Sequence, residues 1–197
     1  MKLVFVDTEF TGVHAYATLI SVGAVTLEGD ELYVTLNDYD QSQVTDWVRQ
    51  NVLVHIDKSG SVSRREACDR LALFLNKHAR GERIGLMSAG KMTDIMLLFQ
   101  LWHTLYPDRK YFHFELLPEH LNHGSHFDLN TLFFAAGVDP DVDREAWAGV
   151  KSSRRHDALE DAKIVRECFL KMAREGNIAA PFLNGIDWST KEVSDGR

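Results

Sequence analysis

Residues 3–9, Leu3-Val4-Phe5-Val6-Asp7-Thr8-Glu9, decide how this chain folds. Strand side chains alternate with period two, so Leu3, Phe5, Asp7 and Glu9 share one face and Val4 and Val6 the other. Apolar residues on both faces predict a central strand. Two carboxylates closing such a strand repel each other and lose hydration. A divalent cation between them removes both penalties. Read alone, Asp7-x-Glu9 has a simpler explanation, a strand end dipping into solvent.

Outward from that strand, Leu19–Val25 and Leu32–Leu36 are short, apolar and set off by Gly12 and by Gly29-Asp30, as in a β-meander. Gln43–Val54 and Ser63–Lys77 read as helices. Ser63 with Glu66 three residues on forms a capping-box signature. A strand at Arg83–Met87 follows, then a helix carrying Asp94, Leu97, Leu98, Leu101 and Leu105 at helical spacing. Phe127–Ala136 reads as a short helix and Ala158–Met172 as a clear one. Strands first, then helices alternating with strands, predict an α/β architecture with a mixed sheet flanked by α-helices. The 197 residues, 45% hydrophobic, suffice for one domain over 1–175. Residues 176–197 then form a polar C-terminal tail, either disordered or an interface.

Composition narrows the function. Lys+Arg 22 against Asp+Glu 29 gives a net charge of -7, which argues against coating nucleic acid through bulk charge. An enzyme gripping one strand end remains compatible. Cys68 and Cys168 offer neither a disulfide framework nor metal-like spacing, so a reduced cytoplasmic setting is expected. Asp7 and Glu9 cut the first apolar run below the roughly 7–15 residues of a signal peptide. No stretch approaches the roughly 18 apolar residues of a membrane span, so no membrane partner is expected.

Two more acids stand among apolar positions. Asp94 precedes the leucine stripe of its helix, although a carboxylate in a first turn also suits the helix dipole. Asp161 shares a stripe with Ile164, Val165, Cys168 and Met172, one turn into its helix, and a buried acid there needs a partner. His156 lies five residues earlier, which on one ideal helix separates the side chains by about 140°. If His156 instead precedes the helix, with Asp157 near its start, the imidazole swings over the same site. Beside convergent acids it is a candidate general base.

Asp7-x-Glu9, Asp94 and His156-x4-Asp161, in that order on strand, helix and helix, resemble the DEDDh exonucleases of the RNase H-like superfamily. DTEFTG (7–12), SAGKMTDIMLLF (88–99) and HDALEDA (156–162) resemble the three motifs, and FDLNTLFFAAG (127–137) the intervening helix. The resemblance spans about residues 2 to 172. DTEF, DWVRQNVL (Asp46–Leu53) and the modest length are most similar to the RNase AS group, which trims adenylated RNA from its 3′ end. The second motif departs from the family in lacking its full Asn-Ser pair, and residues 111–127 are not family-typical.

The resemblance implies an RNase H-like mixed sheet, a DEDDh exonuclease domain over 1–175, and release of nucleoside 5′-monophosphates from single-stranded RNA 3′ ends. Single-stranded DNA is the alternative substrate within the family, and a homodimer is implied. Two Mg²⁺ or Mn²⁺ ions per site would clamp the scissile phosphate. Asp7 would bridge both, Glu9 and Asp161 would complete the first site, Asp94 would orient the second ion, and His156 would act as base. Such hard oxygen ligands favour Mg²⁺ or Mn²⁺ over zinc. Phe10, Thr11 and Gly12 are the expected contacts of the terminal nucleotide, with a core role for Phe10 as the competing reading. Lys151, Arg154, Arg155, Lys163 and Arg166 form a basic patch, and Arg154 and Arg155 lead into His156 as candidate phosphate contacts. Two rival readings are a zinc protein built on His113, His120, His123 and His126, whose spacing matches no standard zinc pattern, and an inactive nucleic-acid-binding module. All five catalytic-type positions are filled, which speaks against the second.

Overall fold

Strand β1 (Lys2–Phe10) runs through the middle of a five-stranded sheet of order β3-β2-β1-β4-β5. The computed structural model describes residues 1–90, 93–106, 108, 117, 118, 120, 121, 124 and 126–175. The expected tail at 176–197, and His113 and His123 of the histidine loop, lie outside the described residues. Strands β2 (Leu19–Thr26) and β3 (Glu31–Thr35) complete the antiparallel meander, while β4 (Ile84–Ser88) and β5 (His126–Asp128) run parallel to β1. The sheet is therefore mixed, and β1 holds the central place that its two apolar faces require.

Each face of β1 carries its own core. Val4 and Val6 pack with α2 (Arg64–Ala79) and α3 (Thr93–His103) through Leu71, Leu75, Leu97 and Leu98. Leu3 and Phe5 pack with α4 (Leu129–Ala135) and α6 (Ala158–Arg174) through Phe133, Val165 and Phe169. Phe5 and Phe169 meet with ring centroids 5.3 Å apart. A third cluster joins Ile20 and Tyr39 to Val48 and Val52 of α1 (Asp46–Asn51). Among the described residues, no helix is long and apolar enough to cross a membrane.

Two expected elements differ. Gln43–Val54 is not one helix but a 3₁₀ turn (Gln41–Gln43) followed by α1, because Thr45 stops the chain and caps a fresh start, its hydroxyl accepting from Val48 N–H. Phe127–Ala136 is not wholly helical. Asp128 is the extended N-cap of α4, accepting from Thr131 N–H, so the residues before it are free to pair with β4. Helix α5 (Arg144–Ala148) was not anticipated; five residues between the Asp143 cap and a left-handed Gly149 are too few to show a period.

Gly23 is the position that brings α6 to the sheet. It pairs with Asp7, and a Cβ built on it would stand 2.1 Å from the Ala158 carbonyl oxygen. Only a residue without a side chain lets the first turn of α6 rest on β2 beside Asp7. Gly23→Ala is expected to destabilise the protein by about 1–3 kcal/mol through overpacking, and to lower cleavage as Asp161 is lifted away. Calorimetry alongside a cleavage assay checks this; an unchanged melting temperature would contradict it.

Candidate active site

Strand β1 carries Asp7 and Glu9 on the α6 side and ends in a register irregularity between Glu9 and Phe10. Glu9 is buried, whereas Asp7 keeps partial exposure because it opens into a cavity of about 500 Å³. Asp94 lies in the first turn of α3 and is only 4% exposed, so it is both a helix-start acid and a buried one. Its Oδ1 accepts from Thr8 N–H at 3.0 Å and from the Thr8 hydroxyl at 2.6 Å. Thr8 was missed by the sequence reading. Its signal was a polar residue on the face that Val4 and Val6 otherwise keep apolar.

The last acid and the histidine come from one junction. Asp157 is the N-cap of α6, accepting from the Leu159 and Glu160 N–H groups, and Asp161 follows one turn in. His156 stands before the cap in the left-handed region, φ 58°, which for a side-chain-bearing residue costs on the order of 1–2 kcal/mol. Placed outside the helix, it escapes the 140° separation that an intrahelical position would impose. Its ring nitrogen and the carboxylate oxygens of Glu9 and Asp161 all lie within 4.8 Å of one another. The structure thus brings Asp7, Glu9, Asp94, Asp161 and His156 into one place.

Electrostatics there are unfavourable to the charged forms. Burial, then repulsion from Asp94, Asp161 and Glu9, holds the Asp7 carboxyl well above the usual range. Burial, then Asp161 and Asp94, pushes Glu9 up to about 8. Asp94 rises to about 6 through burial, against the Thr8 hydrogen bonds. Asp161 rises to about 6 through burial, against the pull of the Arg144 guanidinium. Among the described residues no cation forms an ion pair with any of these four acids. Crowded hard-oxygen donors with no ion-paired cation fit a divalent cation. Burial, then Arg155 and His55, lowers His156 and favours its neutral ring.

These shifts fix how metal-free stability depends on pH. Below about 4.5, Glu9 is protonated both folded and unfolded and contributes no penalty. Between 4.5 and about 8 the folded chain binds more protons than the unfolded one, so stability falls as pH rises. Asp94 and Asp161 act with the same sign up to about 6. In EDTA the melting temperature is expected to drop between pH 6 and pH 8, and saturating Mg²⁺ to flatten that drop. Identical slopes with and without Mg²⁺ would contradict it.

The candidate substrate residues are placed as follows. Phe10 is half-buried against the α2–α3 core. Thr11 is fully buried; its hydroxyl donates to Gln43 Oε1 at 2.7 Å and accepts from Thr18 N–H, so it holds the loop together. A Cβ on Gly12 would come 3.1 Å from the His14 ring. Arg154 is exposed and pairs with Asp157 at 3.4 Å, while Arg155 lines the cavity and pairs with Asp143 and Glu145. Lys163 and Arg166 are engaged internally, the first with Glu31 and Glu160, the second with the Thr26 and Leu27 carbonyls. Arg144 also lines the cavity and was missed, since α5 gives no signal in the sequence. His120 and His126 belong to no metal-ligating group of three among the described residues. The His120 carbonyl accepts from Ile84 N–H, and the His126 ring stands edge-on to Phe99.

The profile of the 3′-5′ exoribonuclease Rv2179c-like domain matches residues 2–172. No curated protein sequence matches the chain. Cell-death related nuclease 4 (CRN-4) is similar in structure, with a TM-score of 0.55 and 10% identity, over 89% of this chain and 64% of that one. Exonuclease I, from a structure of SSB/exonuclease I with the inhibitor CFAM, gives 0.58 and 13%, over 93% and 43%. At these identities the likeness is one of fold, the RNase H-like mixed sheet flanked by helices. The chain spans less than two thirds of the length of either neighbour.

Proposed function

The chain belongs to the 3′-5′ exoribonuclease Rv2179c-like domain family, and from that membership we propose that it removes nucleotides one at a time from the 3′ end of single-stranded RNA. The observation that carries this reading is the convergence of Asp7, Glu9, Asp94 and Asp161, all pushed towards protonation, beside a cavity that Asp7, Asp161 and His156 line. Asp7, Glu9, Asp94 and Asp161 would hold two Mg²⁺ or Mn²⁺ ions, as a DEDDh site requires. When bound, such ions stabilise charge developing on the phosphate and acidify the attacking water. The neutral His156 ring takes the proton of that water, a role its lowered pKa suits.

The remaining residues grip the substrate. Phe10 and Gly12 receive the terminal nucleotide, Thr11, fully buried, holds their loop in place rather than touching it, and Arg154 and Arg155 contact phosphates upstream of the cut. Both arginines are already ion-paired, so an incoming phosphate exchanges partners rather than filling a vacant site. The products are nucleoside 5′-monophosphates. The family's description favours RNA over DNA, the likeness to the RNase AS group favours adenylated 3′ ends, and a cytoplasmic homodimer is the expected working form.

Substrate choice is tested with four 5′-labelled single-stranded oligomers, RNA and DNA, each ending in a run of A or of U. The A-tailed RNA is expected to shorten fastest. Equal rates on RNA and DNA would remove the ribose preference, and equal rates on both tails the adenosine preference. Sedimentation of the same sample reports the dimer.

A further inference from the structure

Helix α1 is anchored by Val48 and Val52 against Ile20 and Tyr39, in a cluster apart from the two main cores. That anchoring leaves Trp47, in the first turn, 54% exposed, a large aromatic that the core does not use. The indole stands edge-on to the His156 imidazole, ring centroids 4.9 Å apart and planes at 74°. The segment before α1 meets the end of β1 as well, through Gln43 and the Thr11 hydroxyl. The insertion between β3 and α2 is thus tied to the site from two sides. His156 needs such a support. It lies outside α6, in left-handed backbone, and its imidazole makes no hydrogen bond to a described residue.

We infer that Trp47 is a positioning residue, whose edge-on ring contact holds the His156 imidazole over Glu9 and Asp161. The inference rests on the exonuclease reading for its catalytic consequence, while the ring contact stands on geometry alone. Edge-to-face pairing is among the favoured arrangements of two π rings, and a ring so fixed keeps its nitrogen aimed without an ionic partner. Small misplacements of a base weaken proton transfer more than they weaken substrate binding. Loss of the indole therefore acts on kcat and leaves KM nearly unchanged. A tryptophan serving as a platform for a nucleobase would act the opposite way.

The experiment uses the full chain and begins with a readout that does not depend on cleavage. Proton–carbon spectra give the His156 ring resonance, assigned by its disappearance in His156→Gln. In Trp47→Ala that resonance is expected to shift as the indole ring current is lost, and in Trp47→Phe to shift much less. Steady-state kinetics follow, on single-stranded RNA with Mg²⁺. Trp47→Ala is expected to lower kcat roughly 3- to 10-fold at constant KM, with Trp47→Phe restoring most of it. In a His156→Ala background Trp47→Ala should have no further effect, since the two residues then act as one unit. A His156 resonance indifferent to Trp47→Ala overturns the ring contact. A raised KM with kcat intact overturns the positioning role in favour of a base platform. A ring shift in Trp47→Ala alongside a wild-type protein that cleaves nothing overturns the exonuclease reading, and the catalytic consequence with it.

Discussion

Asp7→Asn is expected to abolish cleavage, lowering kcat by at least about 10³-fold, while leaving the folded state intact or slightly more stable in EDTA. Both halves follow from one fact. The Asp7 carboxyl is held well above its usual range by burial and by three acidic neighbours, so the metal-free protein carries repulsion that an amide removes. The same amide loses the charge with which Asp7 would help to hold the proposed ions. Calorimetry separates the halves. Saturating Mg²⁺ should raise the melting temperature of the wild type much more than that of the variant, because only the wild-type folded state binds it well. Equal shifts in both proteins would contradict the assignment of Asp7.

The second large effect falls on His156. His156→Ala is expected to slow cleavage by about 10²–10⁴-fold, the usual contribution of a positioned general base, without loss of metal-induced stabilisation. Its pH dependence carries the sign. A base must be neutral to accept a proton, so wild-type activity should fall as pH drops through the His156 pKa. Burial and Arg155 hold that pKa below the usual imidazole value, so the limb should lie below it too. The variant should lack that limb altogether. A variant that kept both the rate and the limb would place the base elsewhere.

The parts of this architecture legible in the sequence were those whose reason is local. The alternation over Leu3–Glu9 placed β1 at the sheet centre and put two acids on one face of it, and the structure agrees in both respects. The Ser63–Glu66 cap marked the start of α2, where the Ser63 hydroxyl does accept from Glu66 N–H. What stayed hidden depends on partners distant in the chain. The role of Gly23 appears only once α6 is laid across β2, and that of Thr8 once α3 arrives with Asp94. Strand β5 has three residues, too few to show alternation, and exists because β4 has an edge to fill. Lys163 and Arg166 read as part of a phosphate-binding patch because a sequence shows charge without its partners. In the fold Arg166 reaches back to the Thr26 and Leu27 carbonyls, partners far away along the chain. Asp94 shows the reverse case, where two competing readings, helix-start acid and buried acid, describe the same residue.

On the proposed reading the protein is a directional exonuclease whose site accepts only a free 3′ end. One measurement tests it most directly: a 5′-labelled single-stranded RNA oligomer, and the same RNA closed into a circle, each incubated with the protein and either Mg²⁺ or EDTA. The expected result is a ladder of labelled fragments shortening one nucleotide at a time from the 3′ end, nucleoside 5′-monophosphates as the released product, silence in EDTA, and an intact circle. Opening of the circle, or release of the 5′ label before the ladder forms, would contradict it.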